Sequence, residues 1–217
     1  ISHIDPLMIQ KKTIFIPGND FEKEYWSDGL LVAGRDEAGR GSLAGPVVSA
    51  AVIFPQNTDN DLGCRDSKVL SEEKREFLFE KIYQQAICIG IGIIDHEQID
   101  RVNIRIATRL AMTKALEDIY RSNVHALIDG NYFEHPTIPF TTIIKGDHHC
   151  FSIAAASIIA KVTRDRIMKE IDSKVGSLYY FAKNKGYGTA EHRKAIQIHG
   201  PSEYHRNTFL GKIIQNE

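Results

Sequence analysis

An α/β fold is the class this sequence predicts, on three observations. Apolar, β-branched runs of strand length fall early in the chain with short links between them, which favours antiparallel neighbours. Later, short apolar runs alternate with helical patterns, and strand, helix, strand order implies parallel pairing. The composition supports a packed interior: of 217 residues, 42% are hydrophobic and 25% charged, which excludes a disordered chain and a collagen-like repeat.

Taken in order, Leu30–Gly34 (LLVAG), Val47–Phe54 (VVSAAVIF) and Ile87–Ile94 (ICIGIGII) are bounded by turn residues and read as the first three strands, an antiparallel meander. Between the second and third, Ser71–Gln85 reads as a helix, with Ser71 as N-cap and Glu72 and Glu73 complementing the dipole of its first turn. Asn103–Tyr120 is a second helix, its Ile104, Ala107, Ala111, Ala115 and Ile119 forming one stripe that packs on a sheet. His125–Ile128 and Thr141–Ile144 follow as short strands, then a long helix over Ser152–Asp172. A last helix covers Ala190–His199, with Thr189 as N-cap and Gly200-Pro201 as its stop. No internal repeat or low-complexity segment interrupts this order.

No apolar run reaches the roughly 18 to 20 residues a membrane span needs, and the first 25 residues hold acids and prolines instead of a signal peptide's apolar block. Cys64, Cys88 and Cys150 are far apart, odd in number and without C-x-x-C spacing, which argues against a disulfide framework and a thiolate zinc site. A cytoplasmic protein is expected. Residue 1 is Ile, so Ile1–Leu7 reads as a remnant ahead of a native start at Met8. Net charge is −1, but residues 161–217 hold 11 Lys+Arg against 6 Asp+Glu, a net of +5, leaving −6 on residues 1–160. The basic C-terminal end is suited to holding a polyanion.

The acids carry the chemistry. Asp36 and Glu37 close the first strand and precede Ala38-Gly39-Arg40-Gly41. Side chains alternate along a regular strand, so the expectation is a strand end or bulge at the glycines that lets both carboxylates share a site. Asp129 ends the strand Ala126-Leu127-Ile128 and meets Gly130, at the carboxyl edge where α/β sheets place ligands. Asp165 falls on the apolar stripe of the long helix with Ile158 and Val162, where a carboxylate must be paired or metal-bound. Carboxylates without companion His or Cys favour hard cations, Mg²⁺ or Mn²⁺, and phosphoryl-transfer chemistry. Two such ions about 3.5–4 Å apart activate water and stabilise a leaving oxygen.

The stretches AGRDEAGRGSLAGP (33–46), LIDGN (127–131) and SIAAASIIAKVTRD (152–165) together resemble bacterial ribonuclease HII. So do the DSK-x-L segment from Asp66 to Leu70, IDRVNIRIATRLAM (99–112), Lys145-Gly146-Asp147 and KGYGT (185–189), all in order from about residue 30 to 209. The resemblance implies a ribonuclease H-like fold, a five-stranded mixed sheet flanked by helices, with a C-terminal helical extension. The implied division is an N-terminal segment 1–29, a catalytic core 30–174 and a substrate-contacting extension 175–217.

By that resemblance the four metal-binding acids are Asp36, Glu37, Asp129 and Asp165, the set selected above. The Gly39-Arg40-Gly41 turn is implied to present backbone groups to the ribonucleotide and its 2′-hydroxyl. Tyr187 is implied to stack on the sugar of the following deoxynucleotide. The implied activity is metal-dependent cleavage 5′ to ribonucleotides in RNA–DNA hybrids and in duplex DNA, leaving 3′-hydroxyl and 5′-phosphate ends, by a monomer. Lys68, Lys161, Arg164 and Lys185 are candidates for phosphate contacts, and Asn103 and Asn131 for hydrogen bonds to the strand, Asn103 being equally suited to cap a helix.

Arg35 departs from the family, which usually has a small or apolar residue there; its side chain is expected on the face opposite Asp36, in need of a partner or solvent. His148-His149 is expected in a solvated loop. His192 and His199 are expected on the surface.

Overall fold

The computed structural model describes residues 15–214, so the reading of Ile1–Leu7 and Met8 lies outside the described residues. Helix α1 (Asp20–Trp26) leads into β1 (Leu31–Ala38), β2 (Val47–Ile53), α2 (Glu72–Gln85) and β3 (Cys88–Ile94). Then come α3 (His96–Val102), α4 (Ile104–Ile119), β4 (Val124–Asp129), β5 (Phe140–Ile143), α5 (Gly146–His149) and α6 (Phe151–Lys174). The chain closes with α7 (Phe181–Asn184), α8 (Ala190–His199) and α9 (Gly211–Ile214).

The five strands form one mixed sheet in the order β3-β2-β1-β4-β5. Antiparallel ladders join β1 to β2 and β2 to β3, and parallel ladders join β1 to β4 and β4 to β5. Both faces are covered, which is why β2 is buried at every position. Ala50 and Val52 face a cluster with Phe151, Ala155 and Ile159 of α6, while Ala51 and Ile53 face Met112, Ala115 and Leu116 of α4. That alternation is the two-residue period of a strand applied to two helical layers.

Every residue from Phe151 to Ala160 is buried, so the first half of α6 runs through the interior. Its N-terminus has no side-chain cap of its own; Glu22 of α1 serves instead, its Oε1 accepting the Ser152 amide at 2.8 Å and the Ser152 hydroxyl at 2.7 Å. Burial holds the Glu22 carboxyl above its usual range. The close seat of α6 on β1 requires Gly34, where a Cβ would lie 2.1 Å from the Ser152 carbonyl carbon. After Lys174, the extension packs Tyr179, Phe181, Ile196 and Leu210 against Met168 and Ile171 of α6 and Leu43 and Ala44 of the β1–β2 connection.

Several expectations need correction. Strand β1 runs through both acids to Ala38, because pairing with β2 continues regularly through Asp36↔Ala50, Glu37↔Ser49 and Ala38↔Val48. His192 is fully buried, its Nε2 3.0 Å from His205 Nε2, because the extension folds over α8; His199 is exposed as expected. His148 and His149 are exposed but belong to the one-turn helix α5. Helices α1, α3, α5, α7 and α9 have no counterpart in the sequence reading. Among the described residues no helix is long and apolar enough to cross a membrane.

Substituting Gly34→Ala forces backbone to move, since the contact is with main chain. The expected destabilisation is about 1–3 kcal/mol, a fall in Tm of about 2–4 °C for each of those kcal/mol, read by thermal denaturation.

Candidate active site

The parallel ladder between β1 and β4 ends at Arg35↔Ile128, while β1 continues past it. Asp36 and Glu37 therefore project beyond the last bridge to β4, next to Asp129, which is β4's final residue. Alternation sends Asp36 to the α6 face with Ala50 and Glu37 to the α4 face with Ser49, so the acid pair straddles the sheet at an open strand end and needs no bulge.

The three charges interact. Burial first, then Glu37 and Asp129, hold the Asp36 carboxyl well above its usual range. Burial, opposed by the Gly146 amide and reinforced by Asp147 and Glu37, raises Asp129. Backbone amides orient both carboxylates: Asp36 Oδ1 accepts Glu37 N–H at 2.7 Å, and Asp129 Oδ1 accepts Gly146 N–H at 2.7 Å. Asp165, 3% exposed on α6, is held instead by cations: Lys161 Nζ lies 2.6 Å from its Oδ1 and Arg75 Nη2 lies 3.7 Å from its Oδ2. The structure thus draws Asp36, Glu37 and Asp129 together and gives Asp165 partners of its own.

This donor set fits a divalent metal. Asp36, Glu37 and Asp129 offer hard carboxylate oxygens at one strand end, whereas Asp165 faces cations of its own. Hydrogen bonds among the described residues engage only Oδ1 of Asp36 and of Asp129, which leaves the second oxygen of each an acceptor for a cation. A different gathering, Asp66, Asp147 and His148, has ligand atoms within 4.8 Å of one another. The chain already sets a cation there, since Lys68 Nζ is 3.8 Å from both Asp66 Oδ1 and Asp147 Oδ2.

Arg35 lies on the Glu37 face, fully buried, donating from Nε to Ser49 Oγ at 3.1 Å with Nη2 2.8 Å from Glu37 Oε2. It is the cation behind the acids. On the solvent side Arg40 Nη1 donates to Glu37 Oε1 at 3.1 Å, so Glu37 is held from both sides. The turn beyond needs glycine at Gly39: φ is +94°, and a Cβ would lie 2.0 Å from Arg164 Nε and 2.8 Å from Pro46 O.

The other expected contact residues divide. A groove of about 410 Å³ is lined by Glu37, Arg40, Asp129 and Asn131, together with Arg105, Arg109 and Tyr132. A larger hollow of about 650 Å³, lined by Arg109, Glu117, Glu134 and Phe140, holds none of the four acids. Tyr187 is half-buried, its ring 5.6 Å from Lys161 Nζ and 5.2 Å from Arg164 Cζ. Lys68 is exposed; Asn103 is exposed and caps α4 through Oδ1 on the Ile106 amide.

Arg164 is a correction: at 0% exposure it meets no solvent, and its fork donates to Pro46 O, Lys185 O and Ala44 O because the surrounding carbonyls have no water. Lys185 is also buried, with Nζ on Ala182 O, and burial lowers its pKa. Arg75, which joins the DSK-x-L carbonyls of Ser67 and Leu70 to Asp165, was invisible in sequence, where it is one arginine on a helix.

A mixed sheet in this order, helices on both faces and carboxylates at the end of the central strand define a nuclease of the ribonuclease H fold. A model of the family described as ribonuclease HII matches residues 33–212. A ribonuclease HII of Dehalococcoides mccartyi is 48% identical over 202 residues, covering 91% of this chain and 94% of the relative. One from Acetivibrio thermocellus is 49% identical over 195 residues, covering 89% of this chain and 75% of the relative. The crystal structure of ribonuclease H2 from Pyrococcus horikoshii matches with a TM-score of 0.71 at 24% identity, covering 85% of this chain and 97% of that one. A crystal structure of Bst-RNase HIII in complex with Mn²⁺ matches with a TM-score of 0.61 at 22% identity, covering 79% of this chain and 63% of that one. The chain belongs to the ribonuclease HII family, and it is a ribonuclease H, an enzyme of a divalent-metal-dependent family.

Asp36→Asn tests the charge balance. A carboxyl whose folded pKa exceeds its ordinary 3.8 destabilises the folded state progressively as pH rises through the folded value. In metal-free buffer the Asn variant is expected to have the higher Tm at pH 7, with the difference vanishing below about pH 4. The same variant is expected to lose roughly a thousandfold in cleavage, since metal charge stabilisation is worth several kcal/mol.

Proposed function

We propose that this enzyme hydrolyses the phosphodiester 5′ to ribonucleotides, in RNA–DNA hybrids and at single ribonucleotides embedded in duplex DNA, leaving 3′-hydroxyl and 5′-phosphate ends. The observation that carries the reading is that Glu37, Asp129 and the exposed Arg40 of the glycine turn line one groove, with Asp36 repelled by both acids. Hydrolytic carboxylates and a backbone-exposing turn then meet one nucleotide.

In this reading Asp36, Glu37 and Asp129 hold the two divalent ions, Mg²⁺ or Mn²⁺, and Asp165 would join them only by giving up Lys161 and Arg75. Bound there, such ions supply an activated water and stabilise the departing 3′-oxygen. The chain's own residues do the rest. Gly146 N–H keeps Asp129 turned toward the shared site, and Arg35 and Arg40 keep Glu37 in place. Lys161 lies between Asp165 and Tyr187, where it can follow a phosphate beside the stacked sugar. Gly39-Arg40-Gly41 addresses the ribose, Tyr187 stacks on the next sugar, and Lys68, Asn103 and Asn131 line the path of the strands. Residues 30–174 form the catalytic core, and the chain from 175 onward is the extension that brings Tyr187 to it.

The test is cleavage of a labelled DNA duplex containing one ribonucleotide, with Mg²⁺ and with Mn²⁺. A single cut 5′ to the ribonucleotide is expected, absent from an all-DNA duplex and from Asp129→Ala; cleavage of the all-DNA duplex, or no cleavage with either ion, overturns the reading. Tyr187→Ala is expected to reduce junction cleavage about tenfold or more, since stacking on an aromatic ring is worth about 1–3 kcal/mol, while Mn²⁺ affinity measured by calorimetry stays unchanged.

A further inference from the structure

Gly39 and the segment Ser42–Pro46 between β1 and β2 are buried, so their carbonyls need donors that water cannot supply. Arg206, at 0% exposure, supplies them. Its Nη2 donates to Gly39 O at 2.7 Å and Pro46 O at 3.1 Å, its Nη1 to Arg40 O at 3.0 Å, and its Nε to Gly45 O at 3.0 Å. Arg206 is anchored in turn: its amide donates to Leu43 O at 2.8 Å, and Ala44 pairs with His205 in a short antiparallel bridge.

In a trans peptide the C=O of one residue and the N–H of the next point in opposite directions within one plane. Drawing the Gly39 carbonyl inward therefore turns the Arg40 amide outward, and drawing the Arg40 carbonyl inward turns the Gly41 amide outward. Neither amide donates to a described residue, and Arg40 and Gly41 are both exposed. Two adjacent, outward, unpaired donors are a site for an oxygen acceptor.

We propose that Arg206 is a positioning residue for ribose recognition: its planar fork fixes the peptide planes of the Gly39-Arg40-Gly41 turn so that the Arg40 and Gly41 amides face the 2′-oxygen of the ribonucleotide. The proposal rests on the substrate reading above and deepens it. Charge alone does not do this work, because a lysine ammonium is a point donor on a flexible stem and cannot hold two successive carbonyls in one plane.

The experiment measures binding of wild type and Arg206→Lys to two labelled duplexes, one with a single ribonucleotide and one all-DNA, in EDTA so that neither is cut. Wild type is expected to prefer the ribonucleotide duplex. Arg206→Lys is expected to hold the all-DNA duplex within about twofold of wild type and to lose about tenfold of that preference, the size of one hydrogen bond. An unchanged preference in the variant overturns the assignment, as does an equal loss of affinity for both duplexes, the result of a merely structural role. A wild type without preference overturns the substrate reading itself.

Hydrogen exchange on wild-type protein gives a second measurement that does not depend on the variant folding. The Arg40 and Gly41 amides are expected to exchange fast in the free protein and to slow with the ribonucleotide duplex but not with all-DNA. Slow exchange in the free protein overturns the proposal.

Discussion

Mutual repulsion among carboxylates is the constraint around which this molecule is arranged. Asp36, Glu37 and Asp129 meet where β1 outruns β4, and burial first, then Glu37 and Asp129, makes it harder for Asp36 to stay charged. Such a cluster survives only on backbone that cannot relax away from it. The chain places it on the central strand of a sheet buried on both faces, with α6 seated against Gly34 behind it. The packing of the two apolar layers thus holds the backbone on which the acids meet.

Cations complete the arrangement at graded depth. Arg35 is wholly buried behind Glu37, Arg40 faces Glu37 from solvent, and Arg75 and Lys161 hold Asp165. Two further buried guanidinium groups, Arg164 and Arg206, attend to backbone carbonyls: between them they take those of Gly39, Arg40, Ala44, Gly45, Pro46 and Lys185. Arg164 ties the KGYGT loop to the β1–β2 connection.

Much of this was legible in the linear chain. Strand and helix periods placed all five strands and four of the longer helices, and Ser71, Thr189 and Asn103 cap helices as their residue types suggest. Asp36, Glu37 and Asp129 stand out because an acid at the end of an apolar run is a local pattern, and the structure gathers those three; Asp165 stands out because it breaks an apolar stripe, and the structure pairs it with Lys161 and Arg75 instead. Arg164 was read as a phosphate contact because a basic residue beside an acidic motif resembles one in sequence, whereas its neighbours in space are carbonyls from residues more than a hundred positions away. His192 was misplaced for a similar reason: its partner His205 belongs to a segment that folds over α8 only in three dimensions.

The sequence by itself determined the five strands, the four longer helices and the sheet's two pairing modes, and it singled out the acids as candidates, because these follow from periodicity and residue chemistry over a few neighbouring positions. Only the tertiary structure decided that β1 passes its acids without a bulge, that Arg35 faces Glu37, and that Arg164 and Arg206 turn inward to the backbone. Those outcomes depend on which strand ends first and which carbonyls are cut off from water, and both are set by the packing of distant segments.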